Sequence, residues 1–134
     1  MHDPHLQKLL PEFVEKIIRN GGLTYDFKKS AYVENKNYWY FPKYPGRTQI
    51  VDVEKLSTAL EEFINSNSKL LLEPDVVFGM WVNPATHNVY LDINTFAQDK
   101  GDALRLANEY SQKQGRAIVS MYNPYQDKTE YIEH

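Results

Sequence analysis

The hydrophobic pattern of the chain is clearest in residues 76–95, where two apolar segments flank the polar sequence NPATHN. This arrangement predicts a β-hairpin with a loop of about four residues. Because side chains alternate along a strand, the register that closes this loop puts six apolar residues on one face. They are Phe78, Met80, Val82, Val89, Leu91 and Ile93. On the opposite face Trp81 pairs with Tyr90. Gly79 pairs with Asp92, which leaves the carboxylate beside open space.

Three other segments repeat apolar residues at helical spacing. The first covers residues 6–19 and ends in an Asn-Gly-Gly sequence that accepts positive φ. The second covers residues 53–65, with Asp52 as its N-cap. The third has Asp102 as its predicted cap and ends at Gly115.

Pro11 lies inside the first helical segment, where proline removes a hydrogen bond and crowds the preceding turn. Two interpretations remain open: a helix capped by Asp3 that continues through Pro11, or a helix that begins near Leu10 after a looser arm. The chain then divides into an N-terminal helix or arm at residues 1–20 and a single α+β domain at residues 21–134.

Strand composition recurs in five further segments that are rich in aromatic or β-branched residues. They are residues 23–27, 31–33, 37–41, 116–122 and 129–132. In the fourth of these, alternation predicts that Ala117, Val119 and Met121 face the core. Together the segments predict an α+β fold with a mainly antiparallel sheet of four to six strands. Two or three helices are expected to pack largely on one face of this sheet.

Composition narrows the class of protein. A chain of 134 residues with 42% hydrophobic and 25% charged residues is typical of one globular domain. A net charge of −3 argues against a dedicated nucleic-acid binder, and no apolar run approaches the ~20 residues that span a membrane. The absence of cysteine excludes disulfides, thiol nucleophiles and sulfur-based zinc sites, and makes a cytoplasmic location the default expectation.

The histidines predict no catalytic or metal site. His2 and His5 share a short spacing near the N-terminus without a third ligand, and His134 is terminal. His87 lies in the hairpin loop, where loop polarity alone accounts for it. Glycine-rich phosphate loops and a Gly-x-Ser-x-Gly elbow are absent, so we expect no cofactor and assign no catalytic residue.

Aromatic residues mark two candidate contact surfaces, since the chain holds ten tyrosines, six phenylalanines and two tryptophans. The predicted partner-binding residues are Trp81, Tyr90 and Asp92 on the hairpin, and Tyr38, Trp39 and Tyr40 on another strand. The tryptophan–tyrosine pair also has a purely structural interpretation, as a cross-strand contact worth roughly 0.2–1 kcal/mol. Three consecutive aromatic residues must occupy both faces of a sheet, so at least one of them is expected to be buried.

Several short segments occur in an order that is found elsewhere. They are residues 21–26 (GGLTYD), 78–81 (FGMW), 89–93 (VYLDI) and 103–107 (ALRLA), followed by Gln114 and by Ala117-Ile118. This pattern resembles small uncharacterised α+β domains of bacteriophage and mobile-element proteins, over about residues 21–122. The resemblance implies a mobile-element origin and no particular activity. The chain departs from the pattern at Ser120, where an acidic residue is expected, and lacks a Thr-Gly turn after Asp26.

These observations favour a non-catalytic, intracellular binding or accessory protein that acts through contact with a protein partner; a homo-oligomer is compatible with them. Two alternatives stay open. A small hydrolase or nuclease would use Asp92 and His87 near the hairpin. Single-stranded nucleic-acid binding would use Tyr38, Trp39 and Tyr40 for stacking, with Arg47 beside them.

Overall fold

The computed structural model describes residues 4–34 and 36–133, so that Asp3, His2 and His134 lie outside the described residues. The helices are α1 (Pro4–Asn20), α2 (Leu56–Ser66) and α3 (Lys100–Gln114). The strands are β1 (Gly22–Asp26), β2 (Ala31–Tyr32), β3 (Trp39–Pro42), β4 (Gln49–Val51), β5 (Val77–Val82), β6 (Val89–Ala97), β7 (Ser120–Asn123) and β8 (Lys128–Tyr131). This is the predicted α+β class, with every strand pair antiparallel.

The sheet has eight strands in the order β2-β1-β5-β6-β3-β7-β8, with β4 pairing separately with β6. The predicted range of four to six strands is therefore too small. Strand β4 is the one that no predicted segment covers, because its three residues are too few for a clear alternating pattern. Strand β2 lies within the predicted segment 31–33 and has two residues. The nine-residue β6 is the central strand: its first part pairs with β4 and its last part with β3.

The hairpin register predicted from alternation is confirmed. Val82 pairs with Val89, and four further pairs up to Phe78 with Ile93 follow in step. Trp81 is opposite Tyr90, as predicted. The apolar face of the hairpin is buried, with Phe78, Leu91 and Ile93 each at 0% exposure.

The helices all pack on this apolar face. Residues of α1 and α2 join the hairpin in one core cluster, in which Phe13 and Leu60 are completely buried. Helix α3 covers a second cluster built on β3 and β7. Trp39 is paired with Ala97, which lies on the same side of β6 as Ile93, so the second cluster is on the same face as the first. The opposite side of the sheet, called here the open face, carries no helix among the described residues.

The start of α1 decides between the two open interpretations, and the start of α3 differs from its prediction. Helix α1 begins at Pro4 and runs through Pro11, because Leu6 and Leu9 pack into the core and hold the turn before the proline. The alternative start near Leu10 is therefore not observed. Helix α3 is capped by Asp99, whose carboxylate accepts a hydrogen bond from the backbone N–H of Asp102, so that Asp102 lies in the first turn instead of at the cap.

The last part of the domain corrects another prediction. Strand β7 is shorter than expected, and Ala117 and Val119 are exposed, while Ile118 is buried. The hydroxyl of Ser111 in α3 accepts a hydrogen bond from the Ile118 N–H, which fixes an irregular backbone before the strand and shifts its phase. Met121 faces the core as predicted.

Candidate functional site

The open face is concave because the sheet curls strongly. Trp81 in β5 and Tyr131 in β8 have ring centroids 6.4 Å apart, although three strands separate β5 from β8 in the sheet order. Strands β7 and β8 therefore bend back over the open face toward β5. The curl converts a flat surface into a trough, which we call the groove.

The groove contains a cavity of about 520 Å³, within the range of about 300–1,000 Å³ that is typical of ligand sites. One wall is formed by the backbone around residues 20–24, with Glu34 at its rim. The other wall comes from β7 and β8 and includes Tyr122 and Asp127, which are joined by a 2.9 Å hydrogen bond from the tyrosine hydroxyl. Both ends of the sheet thus contribute to one site.

The floor of the groove is formed by Gly79, Asp92 and Asn94. A Cβ atom at Gly79 would lie 2.1 Å from Nδ2 of Asn94, so the amide of Asn94 lies directly across the glycine backbone. The open space that the sequence predicted there is therefore filled. The Oδ1 atom of Asn94 is buried and accepts no hydrogen bond within the described residues, which is uncommon for a buried carbonyl oxygen.

Asp92 is half-buried at the bottom of the groove, between the main cavity and a smaller one of about 100 Å³. Burial raises the pKa of its carboxyl to about 6, against the lowering effects of a hydrogen bond from Thr48 and the positive charge of Arg116. The Thr48 hydroxyl donates to Oδ1 at 2.7 Å. The Arg116 guanidinium is itself occupied by a hydrogen bond of 2.6 Å to the Thr48 carbonyl oxygen.

An aromatic cluster stands at one end of the groove. Trp81 and Tyr90 form an edge-to-face pair with ring centroids 5.3 Å apart, and Tyr131 completes the cluster. Both members of the pair are half-buried, so they are partly covered by the curled sheet and partly available. The structure thus brings together all three hairpin residues predicted as a site.

The second predicted surface is divided between the two faces of the sheet. Trp39 is 3% exposed and packs beneath α3, so it is not available to a partner, and the expectation that one of the three aromatic residues is buried is confirmed. Tyr40 lines the groove and is 5% exposed. Tyr38 stacks on Phe96 with ring centroids 5.2 Å apart. Arg47 donates a hydrogen bond to Asn67, just beyond the end of α2.

His87 lies apart from Asp92. It is exposed at the tip of the hairpin turn, with φ of 63°, and it does not line either cavity that contains Asp92. Asp92 lies three residues into β6, about 10 Å along the strand from Val89. The structure therefore does not bring the two residues of the catalytic alternative together.

Sequence reasoning missed several groove residues. Asn94 could have been found, because it follows Asp92 by two positions on the same strand and so shares its face. Thr48 and Arg116 could not have been found. Thr48 lies 44 positions from Asp92, and Arg116 lies 68 positions from Thr48, so no local sequence pattern indicates these pairs. In the described ranges 4–34 and 36–133, no group of three or more potential ligands could hold a metal ion.

Comparisons with protein-family models, with curated proteins and with solved structures give no match. The described helices include none with the length and apolar character needed to cross a membrane. The groove is therefore interpreted from its own geometry and chemistry.

Proposed function

We propose that this protein is a non-catalytic binding protein that receives a segment of a protein partner in the groove. The observation that carries the proposal is the 520 Å³ cavity, which both ends of a curled sheet enclose around a half-buried carboxylate. An antiparallel sheet commonly leaves one face in solvent, so the support for binding is that this face is concave and encloses a cavity of ligand size with polar groups at its floor.

The aromatic side chains of the groove support a protein as the partner. Trp81, Tyr40 and Tyr122 line it, and tryptophan and tyrosine are enriched among the residues that dominate protein–protein binding energy. The edge strand β8 borders the same cavity through Thr129, so an extended segment could also reach unpaired backbone groups there.

The groove chemistry favours binding over the catalytic and nucleic-acid alternatives. A hydrolase built on Asp92 needs a second acid or base within hydrogen-bond reach, and the nearest described polar partners are Thr48 and Arg116. Nucleic-acid binding needs basic residues beside the aromatic ones, whereas Glu34 and Asp127 flank this groove. An intracellular location remains part of the proposal because the chain has no cysteine, and a mobile-element origin remains part of it on the resemblance alone.

A peptide-display selection tests the proposal. A library of random peptides is selected on the wild-type protein alone, and the selected peptides are then measured on Ser120→Trp, which places an indole in the groove because Ser120 lines both cavities. Ser66→Trp at the exposed end of α2 is the matched control. We expect peptides that bind wild type and Ser66→Trp equally and lose binding to Ser120→Trp, although all three proteins melt cooperatively. If every selected peptide binds Ser120→Trp as well, the groove is not the binding site.

A further inference from the structure

The charged residues that line the main cavity all have the same sign, and the positive Arg116 lies beyond Asp92 in the smaller cavity. Glu34, Asp92 and Asp127 line the main cavity, and no lysine, arginine or histidine does so among the described residues. Two of the carboxylates stand at the rim and one at the floor, so a ligand in the cavity would meet negative charge at both depths. Complementary charge in a partly enclosed cleft both attracts and orients a ligand.

The floor also presents hydrogen-bond acceptors that have spare capacity. Asp92 accepts one hydrogen bond, from Thr48, and forms no ion pair within the described part of the chain. The Oδ1 atom of Asn94 has no partner at all there. A ligand that donates several hydrogen bonds would satisfy both groups, because a carboxylate offers about four acceptor positions and an amide oxygen two.

The walls add aromatic surface to this acidic floor. Tyr40, Trp81 and Tyr122 line the same cavity. Aromatic rings attract cations through their π faces, and tryptophan does so most strongly. A neutral donor would gain only the hydrogen bonds to the floor, whereas a cation would gain in addition from the rings and from the charge of the carboxylates.

From these three observations we propose that the groove binds a basic side chain of its protein partner, an arginine or a lysine, with Asp92 as the ion-pairing residue. The inference rests on the proposed function and specifies the occupant. Arginine suits the floor better than lysine. Its planar group carries five N–H donors, enough for Asp92 and Asn94 together, and these residues lie two positions apart on β6, about 6–7 Å.

Titration with small side-chain analogues tests the inference without knowledge of the partner. The probes are the Nα-acetyl methylamides of arginine, lysine and citrulline, the last being a neutral analogue of arginine. Binding is followed by NMR through the indole N–H of Trp81. The second tryptophan, Trp39, is the internal control, because it is buried under α3 on the other face.

We expect the arginine probe to shift the Trp81 signal with millimolar affinity, the lysine probe to bind more weakly, and the citrulline probe to bind at least about tenfold more weakly than arginine. The Trp39 signal should stay in place. Equal binding of arginine and citrulline would overturn the inference. So would a dissociation constant for spermidine more than about tenfold below that of arginine, since a free polyamine would then be the occupant.

Variants separate the ion pair from general charge. Asp92→Asn should weaken arginine binding about tenfold or more, and Asp102→Asn on the exposed start of α3 should leave it unchanged. If Asp92→Asn does not fold, the rim variant carrying Glu34→Gln and Asp127→Asn replaces it, with a loss of about two- to threefold. Unchanged binding in the folded variants overturns the inference. Groove-dependent display peptides that lack basic residues would also overturn it, while supporting the proposed function.

Discussion

On the helix-covered face of the sheet, the Lys43 ammonium lies 2.9 Å from carboxylate oxygens of both Glu73 and Asp75. On the open face, Asp92 accepts a hydrogen bond from a threonine hydroxyl and forms no ion pair with the residues that the structure describes, although the charge of Arg116 acts on it. Carboxylates on the helix-covered face are therefore paired with a lysine, whereas the carboxylate on the open face is not. The chain's own lysine thus supplies the positive charge for Glu73 and Asp75, whereas for Asp92 we propose that a groove ligand supplies it.

The pKa values of the three carboxyl groups are shifted in opposite directions on the two faces. A hydrogen bond from Tyr44 and then one from Lys43 lower the pKa of Glu73. Burial would raise the pKa of Asp75, but the hydrogen bond and charge of Lys43 outweigh it and the pKa is lowered. Burial prevails at Asp92 and raises its pKa to about 6. The helix face thus favours the charged form, and the open face opposes it.

The largest predicted effect compares two residues of β5 whose side chains lie on opposite faces of the sheet. Phe78 is 0% exposed on the helix face and contacts the rings of Phe13 and Phe63, so Phe78→Ala should cost about 3–5 kcal/mol of unfolding free energy. Trp81→Ala, on the half-buried open face, should cost about 1–2 kcal/mol and abolish binding of groove-dependent peptides. Urea denaturation and peptide binding measure both. Equal losses of stability would mean that the open face is part of the core.

The next largest effect is expected from replacing Lys43, the cation that pairs with Glu73 and Asp75. Lys43→Met should lower stability by about 2 kcal/mol at pH 7, less than for a fully buried pair because Asp75 is 50% exposed. The pKa values of Glu73 and Asp75 are lowered, so their contribution is present at neutral pH and is lost as the pH falls through those values. The difference between variant and wild type should therefore shrink progressively as the pH falls below the ordinary carboxyl range of about 4.

The matched control for this variant is Lys100→Met, which removes a more exposed pair with Glu130. It should change stability by about 0.5 kcal/mol or less. Denaturation midpoints at pH 3 and pH 7 provide the comparison. A Lys43→Met loss that is the same at both pH values would assign the effect of Lys43 to packing of its aliphatic stem instead of charge.

The hairpin could be predicted from the sequence because its information is local. The alternation of period two in β5 and β6 determines which residues share a face, and the observed register follows it from Val82 to Phe78. The helix end at Gly115 is local too, since φ there is 66°, a value that suits glycine. The phase of residues 116–119 was mispredicted because a hydrogen bond from α3 determines it.

The groove could be predicted only in part. Trp81, Tyr90 and Asp92 were expected on one face, and the structure places them there. The cavity itself depends on curl, which accumulates strand by strand across the sheet and brings Tyr131 near Trp81 from 50 positions along the chain. The spacing of apolar residues predicts single strands and their faces, but it does not predict the twist that accumulates over several strands. The deep position of Asp92, and hence its raised pKa, could not be inferred for the same reason.

Neutralising the open-face carboxylate should stabilise the protein. The pKa of Asp92 is about 6 in the folded protein, whereas that of an aspartate in an unfolded chain is about 3.9. Between these two pH values the folded protein therefore keeps a proton that the unfolded chain has released. Stability therefore falls as the pH rises through this window. Asp92→Asn removes the ionised form, so we expect a gain of about 1–2 kcal/mol at pH 8 and almost none at pH 4.

Denaturation of Asp92→Asn and wild type at the two pH values measures this gain, with Asp102→Asn as the exposed control. A more stable variant that no longer binds the arginine probe would mean that the groove keeps its carboxylate for binding at the expense of stability. A variant that is less stable than wild type at pH 8 would instead show that ionised Asp92 is held by Thr48 and Arg116 well enough to be structural.

The smallest predicted effect concerns the floor of the groove. Gly79→Ala would bring its Cβ within 2.1 Å of Asn94 Nδ2, and the amide, at the end of a flexible side chain, must swing into the cavity. We expect a loss of about 1 kcal/mol or less, because alanine also restricts the unfolded chain, together with weaker binding of the arginine probe.

Asn94→Ala alone should be nearly neutral, since it removes a buried oxygen without a described partner. The double variant should recover the stability lost in Gly79→Ala, and a double-mutant cycle measures this coupling. Additive losses would mean that the alanine strains the backbone of β5, and the glycine would then serve the strand instead of the groove.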